Sequence, residues 1–285
     1  MASKRTVFYL SDRTGITAET LGGSLLTQFD GVEFRQISVP FIQSEEKARR
    51  TVEMIDRAAR DDGVRPLLFC TLVDDRVITM LQQSQGYLLD LFGTFIDPLE
   101  MELGLESTHS AGRAHGIANQ RAYQARIEAM HFALENDDGN APHNYRQAEI
   151  ILVGVSRCGK TPTCLYLALQ FGLRAANYPL IEDDLHAMVL PDRLAPHRKK
   201  LYGLSIDPER LVQIRSERRP NSPYSSPKQC AWEIHEAQRL FEVESIPWIN
   251  STFKSIEEIA STIVDQTGVP RRFFYAHPPP GKSDR

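Results

Sequence analysis

The chain has 285 residues, of which 41% are hydrophobic and 25% are charged, a balance that is typical of a globular protein with ample material for a core. The net charge of −4 gives no electrostatic reason to expect nucleic acid or an anionic membrane as a partner. No apolar run is long enough to cross a bilayer, the start shows no signal-peptide core, and the four cysteines form no CxxC pair, so we expect a cytoplasmic protein.

Strand and helix signals alternate along the first hundred residues. Short apolar runs predict three strands, at residues 6–11, 34–39 and 66–72. Amphipathic patterns predict two helices between them, at residues 16–29 and 45–60. The pattern from Asp74 to Leu89 predicts one further helix, with Asp74 as its cap. This alternation predicts a parallel α/β sheet in an N-terminal domain of residues 1–105.

The second half repeats the same rhythm after a looser stretch at 93–110. A helix is predicted at 120–134, and it ends in a polar cluster. Strands are predicted at residues 148–153, 175–181, 201–206 and 246–249. One helix between them opens at Asp207-Pro208, and a final helix after the last strand is capped by Ser255. We therefore predict a second domain at 106–276, followed by a disordered, proline-containing tail at 277–285.

The most specific motif lies between a predicted strand and a predicted helix. It matches G-x-x-x-x-G-K-[ST] throughout, in the run Gly154-Val155-Ser156-Arg157-Cys158-Gly159-Lys160-Thr161, which we name the GKT loop. Glycines permit a tight wrap whose N–H groups face phosphate oxygens, and the following helix adds partial positive charge. Lys160 is expected to reach the outer phosphates and Thr161 to ligate Mg²⁺. The predicted fold is therefore an N-terminal parallel α/β domain followed by a P-loop NTPase-like kinase domain.

The magnesium-binding aspartate of an ordinary P-loop ATPase has no clear counterpart, because no apolar strand after the loop ends in one. The open candidates are Glu182, Asp183 and Asp184 after the loop, and Asp137 and Asp138 before it. Asp137 and Asp138 are candidates for binding Mg²⁺ or for taking a proton from an attacking hydroxyl, and the alternative is a simple turn after a helix. The loop thus predicts nucleotide binding more strongly than ATP hydrolysis.

Two groups of basic residues are candidates for phosphate recognition. Arg113 and Arg126 lie upstream of the loop, where arginine forks suit phosphate, and a solvated helix face is the alternative. Residues 191–220 hold eight Lys/Arg against four acids, which suits phosphate or an acidic protein surface, although such runs are more often solvated.

Over residues 5–275 the chain resembles the family of phosphoenolpyruvate synthase regulatory proteins, which is related to the pyruvate, phosphate dikinase regulatory proteins. The likeness is carried by SDRTGITAE (11–19), GRAHG (112–116), YQARIEAMHFALENDDG (123–139), AEIILVGVSRCGKTPTCLYLA (148–168), RAANYPL (174–180), YGLSIDPERL (202–211) and SIEEIA (255–260). Arg13 departs from the small residue, usually Ser, that the family is expected to carry.

The resemblance implies a bifunctional enzyme whose nucleotide site is the GKT loop. One activity transfers a phosphoryl group from ADP to a threonine near the catalytic histidine of the target enzyme, and this inactivates the target. The other uses inorganic phosphate to remove the group, releases pyrophosphate and restores activity. The implied target is phosphoenolpyruvate synthase, with pyruvate, phosphate dikinase as the alternative.

The residue pattern fits that implication, because phosphoryl transfer needs positioning and charge neutralisation. We expect Lys160, Thr161 and Mg²⁺ to supply these, Asp137 or Asp138 to orient the attacking group, and Arg113 and Arg126 to hold phosphates. A P-loop kinase of a small metabolite and a nucleotide sensor without activity are the alternatives, and a nucleic-acid binder is least favoured. The oligomeric state stays open, with a homodimer as one alternative.

Overall fold

The computed structural model describes residues 3–108, 120–140 and 142–270, and the chain divides into two compact units, Met1–Gly116 and Ile117–Arg285. Each unit has its own four-stranded sheet, in which all neighbouring strands are parallel. This confirms the predicted α/β class. The boundary at 105/106 stays a prediction, and the tail at 277–285 lies outside the described residues.

The first unit contains a sheet with the strand order β2-β1-β3-β4. Its strands are β1 (Ser3–Leu10), β2 (Val32–Val39), β3 (Leu67–Cys70) and β4 (Tyr87–Asp90), and its helices are α1 (Ile16–Leu26), α2 (Glu45–Asp62), α3 (Asp75–Gln82) and α4 (Gly93–Leu103). Alternate residues of β1 enter two separate cores, since Phe8 and Leu10 pack with α2 and α3 whereas Val7 and Tyr9 pack with α1. Both faces of the sheet are therefore covered, as parallel sheets require.

Two predictions for the first unit are wrong. Leu88 and Leu89 do not continue the helix that Asp74 caps, because that helix ends at Gln82 and both leucines lie in β4, paired with β3. The stretch from Gly93 to Leu103 is the helix α4 and not a loop. It contains Pro98, a residue that ordinarily breaks a helix, so the sequence suggests a loop although Phe95, Leu99 and Leu103 recur at helical spacing.

The second unit contains a sheet with the strand order β6-β5-β7-β8. Its strands are β5 (Ile150–Gly154), β6 (Ala175–Pro179), β7 (Leu201–Ser205) and β8 (Trp248–Asn250), and its helices are α5 (Gln120–Glu135), α6 (Lys160–Phe171), α7 (Glu182–Ala187), α8 (Pro208–Arg218), α9 (Pro227–Val243) and α10 (Ile256–Thr267). Every residue of β5 and β7 is buried, so these central strands form the middle of the core.

The strand order of the second unit creates a crevice at one sheet edge. From β5 the chain crosses to β6, on one side of β5 in the sheet. From β7 it crosses to β8, which lies towards the opposite edge of the sheet. Right-handed crossovers then place the connecting helices on opposite faces, and a crevice opens beyond the carboxyl ends of β5 and β7. Among the residues that the structure describes, no helix combines the length and the apolar character needed to cross a bilayer.

Substitution of two neighbouring glycines in α1 tests the packing of the first unit. A Cβ at Gly22 would lie 2.7 Å from ring atoms of both Phe69 and Tyr9, whereas a Cβ at Gly23 meets nothing within 4 Å. We expect Gly22→Ala to lower the free energy of unfolding by about 1–3 kcal/mol through overpacking. We expect Gly23→Ala, the matched control, to raise it by roughly 0.5–1 kcal/mol. Urea unfolding measures both, and equal effects would contradict this packing.

Candidate active site

The GKT loop connects β5 to α6 by a turn that only glycine permits at its first position. A Cβ at Gly154 would lie 2.2 Å from the carbonyl oxygen of Leu204 in the neighbouring strand β7. At the other end Gly159 has a φ of 97°, in the left-handed region, directly before α6 begins at Lys160. The first-turn N–H groups of a helix lack partners within it, so the start of α6 offers donors and partial positive charge to an anion.

Lys160 places its ammonium group against the loop itself. The residue is only 4% exposed, and its Nζ donates hydrogen bonds to the carbonyl oxygens of Gly154 at 2.9 Å and Val155 at 2.8 Å. Nζ also lies 3.9 Å from the sulfur of Cys158. Burial raises the pKa of the Cys158 thiol, and the charge of Lys160 opposes this only in part. Cys158 is therefore a neutral packing residue, whereas Lys160 supplies the positive charge.

Asp137 lies directly beside the last residue of the GKT loop. The Thr161 hydroxyl donates to Asp137 Oδ1 at 2.7 Å, and the amide nitrogen of Asn177 donates to the same oxygen. The backbone N–H of Asp138 donates to Asn177 Oδ1 at 3.0 Å. Asn177 is fully buried in β6 and so fixes the position of both aspartates. Sequence reasoning leaves Asp137 and Asp138 equivalent, whereas the structure singles out the half-buried Asp137 carboxylate.

The three acidic residues after the loop lie at the start of a helix and not beside the GKT loop. Glu182, Asp183 and Asp184 form the first turn of α7. The Asp184 carboxylate accepts hydrogen bonds from the Ile181 N–H at 3.1 Å and from the Tyr178 hydroxyl at 3.0 Å, and it thereby caps the helix. None of the three lines the cavity at the GKT loop. Of the five acidic candidates, the structure places only Asp137 and Asp138 beside the loop.

Thr161 and Asp137 bring together two oxygen atoms that would hold a magnesium ion. Mg²⁺ prefers oxygen ligands in octahedral geometry at 2.0–2.1 Å, which places neighbouring ligand oxygens about 2.9 Å apart. Thr161 Oγ1 and Asp137 Oδ1 are separated by 2.7 Å. Within the described ranges no group of three or more His, Cys, Asp or Glu residues suits a metal ion, so the remaining ligands would be phosphate and water oxygens.

The loop and the two aspartates border a cavity of about 520 Å³. The lining residues come from the polar segment before β5, the GKT loop, the start of α6 and α8: Asp137, Asp138, Ser156, Arg157, Gly159, Lys160, Thr161, Pro162, Ile214 and Arg218. Ile214 and Arg218 are four residues apart on α8 and therefore share one face of that helix. Arg218 belongs to the basic run at 191–220 that the sequence offers as a candidate for phosphate, but no local pattern singles it out from the other cations of that run.

Arg215 attaches α8 to the GKT loop, a structural role that the sequence does not indicate. It is 1% exposed and donates to the carbonyl oxygen of Ser156 at 3.1 Å, to that of Tyr224 at 3.0 Å and to both carboxylate oxygens of Glu233. Burial works to lower the pKa of Arg215, but the hydrogen bonds and charge of Glu233 outweigh burial and raise it. The Tyr224 hydroxyl lies 3.0 Å from Ser156 Oγ. Ser156 is therefore held at its hydroxyl by Tyr224 and at its carbonyl oxygen by Arg215.

Of the two upstream arginines, Arg126 is among the described residues and does not lie at the cavity. Arg113 lies outside the described residues. Arg126 is in α5, eleven residues before Asp137, which corresponds to roughly 16 Å along the helix. It is not among the residues that line the cavity. A role for either arginine in holding phosphate stays a prediction.

The fold defines an α/β protein with two parallel sheets, and comparison with known proteins identifies its family. The model of the kinase/pyrophosphorylase family matches residues 7–264, so the chain belongs to that family. Relatives from Pseudomonas aeruginosa, Hahella chejuensis and Ectopseudomonas mendocina are each named "Putative phosphoenolpyruvate synthase regulatory protein". The first is 53% identical over 273 residues, which cover 96% of this chain and 100% of the relative. The second is 53% identical over 268 residues, which cover 94% and 98%. The third is 54% identical over 269 residues, which cover 94% and 99%. These findings confirm the resemblance drawn from the motifs.

The attachment of α8 by Arg215 can be tested by substitution. We expect Arg215→Ala to lower the free energy of unfolding of the second unit by about 3–5 kcal/mol, because the Glu233 carboxylate loses its partner. That side chain is only 14% exposed. Arg210→Ala is the matched control on the same helix, since Arg210 is exposed and, among the described residues, its side chain bonds Gln213 alone. We expect a change within about 0.5 kcal/mol for the control. Urea unfolding measures both, and similar losses would contradict the role of Arg215.

Proposed function

We propose that this chain is a bifunctional serine/threonine kinase and phosphorylase that controls phosphoenolpyruvate synthase. The observation that carries the proposal is the carboxylate of Asp137 at the Thr161 hydroxyl, in a member of the kinase/pyrophosphorylase family. The names of the relatives supply the target. Phosphorylation of a threonine with ADP as donor inactivates the target, and removal of the group by inorganic phosphate restores activity.

In the kinase direction, the threonine oxygen of the target attacks the β-phosphorus of ADP. The bond from the β-phosphorus to the bridging oxygen breaks, and AMP leaves with that oxygen. The threonine proton passes to Asp137, whose Oδ2 has no hydrogen-bond donor among the described residues, while Oδ1 is held by Thr161 and Asn177. Lys160 and the start of α6 balance the charge of the two phosphates.

In the phosphorylase direction, an oxygen of inorganic phosphate attacks the phosphothreonine phosphorus. The bond from phosphorus to the threonine oxygen breaks, pyrophosphate forms, and Asp137 passes the proton of the attacking hydrogen phosphate to the threonine oxygen. The pyrophosphate product and the diphosphate group of ADP both consist of two phosphates joined by a bridging oxygen. One binding site at the GKT loop therefore serves both reactions. Inorganic phosphate then occupies the place of the α-phosphate of ADP.

Two further groups complete the proposed chemistry. Mg²⁺ held by Thr161 Oγ1, Asp137 Oδ1 and phosphate oxygens would supply neutralisation of charge on the transferred phosphoryl group. Arg218 and Arg157 bring guanidinium groups to the same cavity, where their planar forks suit phosphate oxygens. The extra cations matter most in phosphorolysis, because that reaction brings two phosphate anions together.

The proposal is tested by following a labelled β-phosphoryl group. The protein is incubated with β-labelled ADP and purified phosphoenolpyruvate synthase, and in parallel with pyruvate, phosphate dikinase. We expect label on a threonine of phosphoenolpyruvate synthase, and its release as pyrophosphate when inorganic phosphate is added. Transfer from ATP alone, or to a small metabolite alone, would support a small-metabolite kinase instead. Label on the dikinase alone would reassign the target.

The two aspartates are expected to differ in their effect on both reactions. Asp137→Asn removes the proton acceptor, so we expect kinase and phosphorylase rates to fall at least about 100-fold. Asp138→Asn is the matched control, because the structure uses the backbone of Asp138 and leaves its side chain exposed. For the control we expect rates within about fivefold of the parent. Initial rates in both directions check this, and unchanged rates in Asp137→Asn would exclude the role of Asp137.

A further inference from the structure

The turn after β8 presents an aromatic side chain to solvent at the edge of the sheet where the cavity opens. Phe253 is 91% exposed, more than any other large hydrophobic residue that the structure describes. A single exposed apolar residue is ordinary on a protein surface. What distinguishes Phe253 is how firmly the backbone on both sides of it is held.

The residue before the turn is bonded to the GKT loop. Ser251 Oγ lies 3.0 Å from the carbonyl oxygen of Cys158, inside the loop, and 3.0 Å from that of Ser205, at the end of β7. The Ser251 N–H donates to the same Ser205 oxygen at 2.8 Å. The turn that carries Phe253 therefore keeps a fixed position relative to the phosphate-binding segment.

A second set of hydrogen bonds attaches the turn to the start of α8. The Asp207 N–H donates to Thr252 Oγ1 at 2.7 Å, and Thr252 Oγ1 donates to Asn250 Oδ1 at 2.6 Å. The Asn250 amide donates to Asp207 Oδ1 at 2.7 Å. On the other side of the turn α10 begins with a capping box formed by Ser255 and Glu258. An aromatic ring on such a rigid support can bind a partner with little loss of conformational entropy.

We infer that Phe253 is an anchor for the protein that accepts the phosphoryl group, an inference that rests on the proposed function. The acceptor threonine must enter the cavity, so the surface of its protein must cover the adjoining rim. Phe253 follows Ser251 by two residues, which places its ring within about 15 Å of the Cys158 carbonyl. An extended segment covers that span with about five residues. The expected contact is an apolar side chain on the surface of the acceptor that covers this rim.

The charge around the turn suits the same occupant. Lys254 is exposed next to Phe253, and the cavity rim carries Arg157 and Arg218. These cations favour an acceptor that becomes dianionic when its threonine is phosphorylated. Aromatic anchors surrounded by polar and charged groups are typical of the residues that dominate binding between proteins.

Steady-state kinetics with phosphoenolpyruvate synthase as acceptor and ADP as donor test this contact. We expect Phe253→Ala to raise KM for the protein acceptor at least about tenfold, with kcat and the Kd for ADP within twofold of the parent. Phe253→Leu should recover part of the loss. Val243→Ala is the matched control: Val243 is 66% exposed but lies at the end of α9, before β8 begins, and so on the opposite edge of the sheet.

Each other outcome overturns the inference in a distinguishable way. An unchanged KM in Phe253→Ala, with a parent protein that transfers label, shows that Phe253 does not contact the acceptor. A weaker ADP affinity or a chain that fails to fold assigns Phe253 to the nucleotide site or to the core. A rise in KM for Val243→Ala as large as that for Phe253→Ala shows an unspecific surface effect. A parent protein that transfers no label to any target removes the proposed function, and the docking role with it.

Discussion

The hydrogen bond from Thr161 to Asp137 joins the two parts of the candidate site, and the other features of the site depend on it. Thr161 belongs to the first turn of α6, whereas Asp137 belongs to the segment that follows α5, so the contact brings together residues that are 24 positions apart. Asn177 makes the contact rigid because it bonds the Asp137 carboxylate and the backbone of Asp138 from a fully buried position in β6. A carboxylate held in this way needs no rearrangement when a hydroxyl approaches.

The rest of the second unit supports this contact from the other side of the loop. The order of the strands opens a crevice beyond β5 and β7, and Arg215 joins α8, α9 and the carbonyl oxygen of Ser156 beside it. Since Arg215 fixes the rotation of α8, the face that carries Ile214 and Arg218 is directed at the cavity. The turn at Ser251 is bonded to the same loop. The contacts that support the site and the proposed chemistry therefore both involve the GKT loop.

Sequence reasoning succeeded where local patterns and tertiary packing agree, and it failed where they diverge. The GKT loop is recognisable because glycine is required at Gly154 by contact with β7 and at Gly159 by a left-handed φ. The strand β4 was mistaken for the end of a helix, since a strand of only four residues shows no period long enough to distinguish it from a helix. The helix α4 was missed because Pro98 lies inside it, and proline ordinarily ends a helix.

The sequence by itself determined the α/β class, the position of the GKT loop, the family and a short set of candidate acids and bases, because these depend on residue type and local spacing. Only the tertiary structure decided between the candidates. It placed Asp137 at Thr161, assigned Asp184 to a helix cap and brought Arg215 and Arg218 to the loop. Contacts between residues tens of positions apart depend on the order of the strands and the rotation of the helices. Local sequence patterns do not specify strand order or helix rotation.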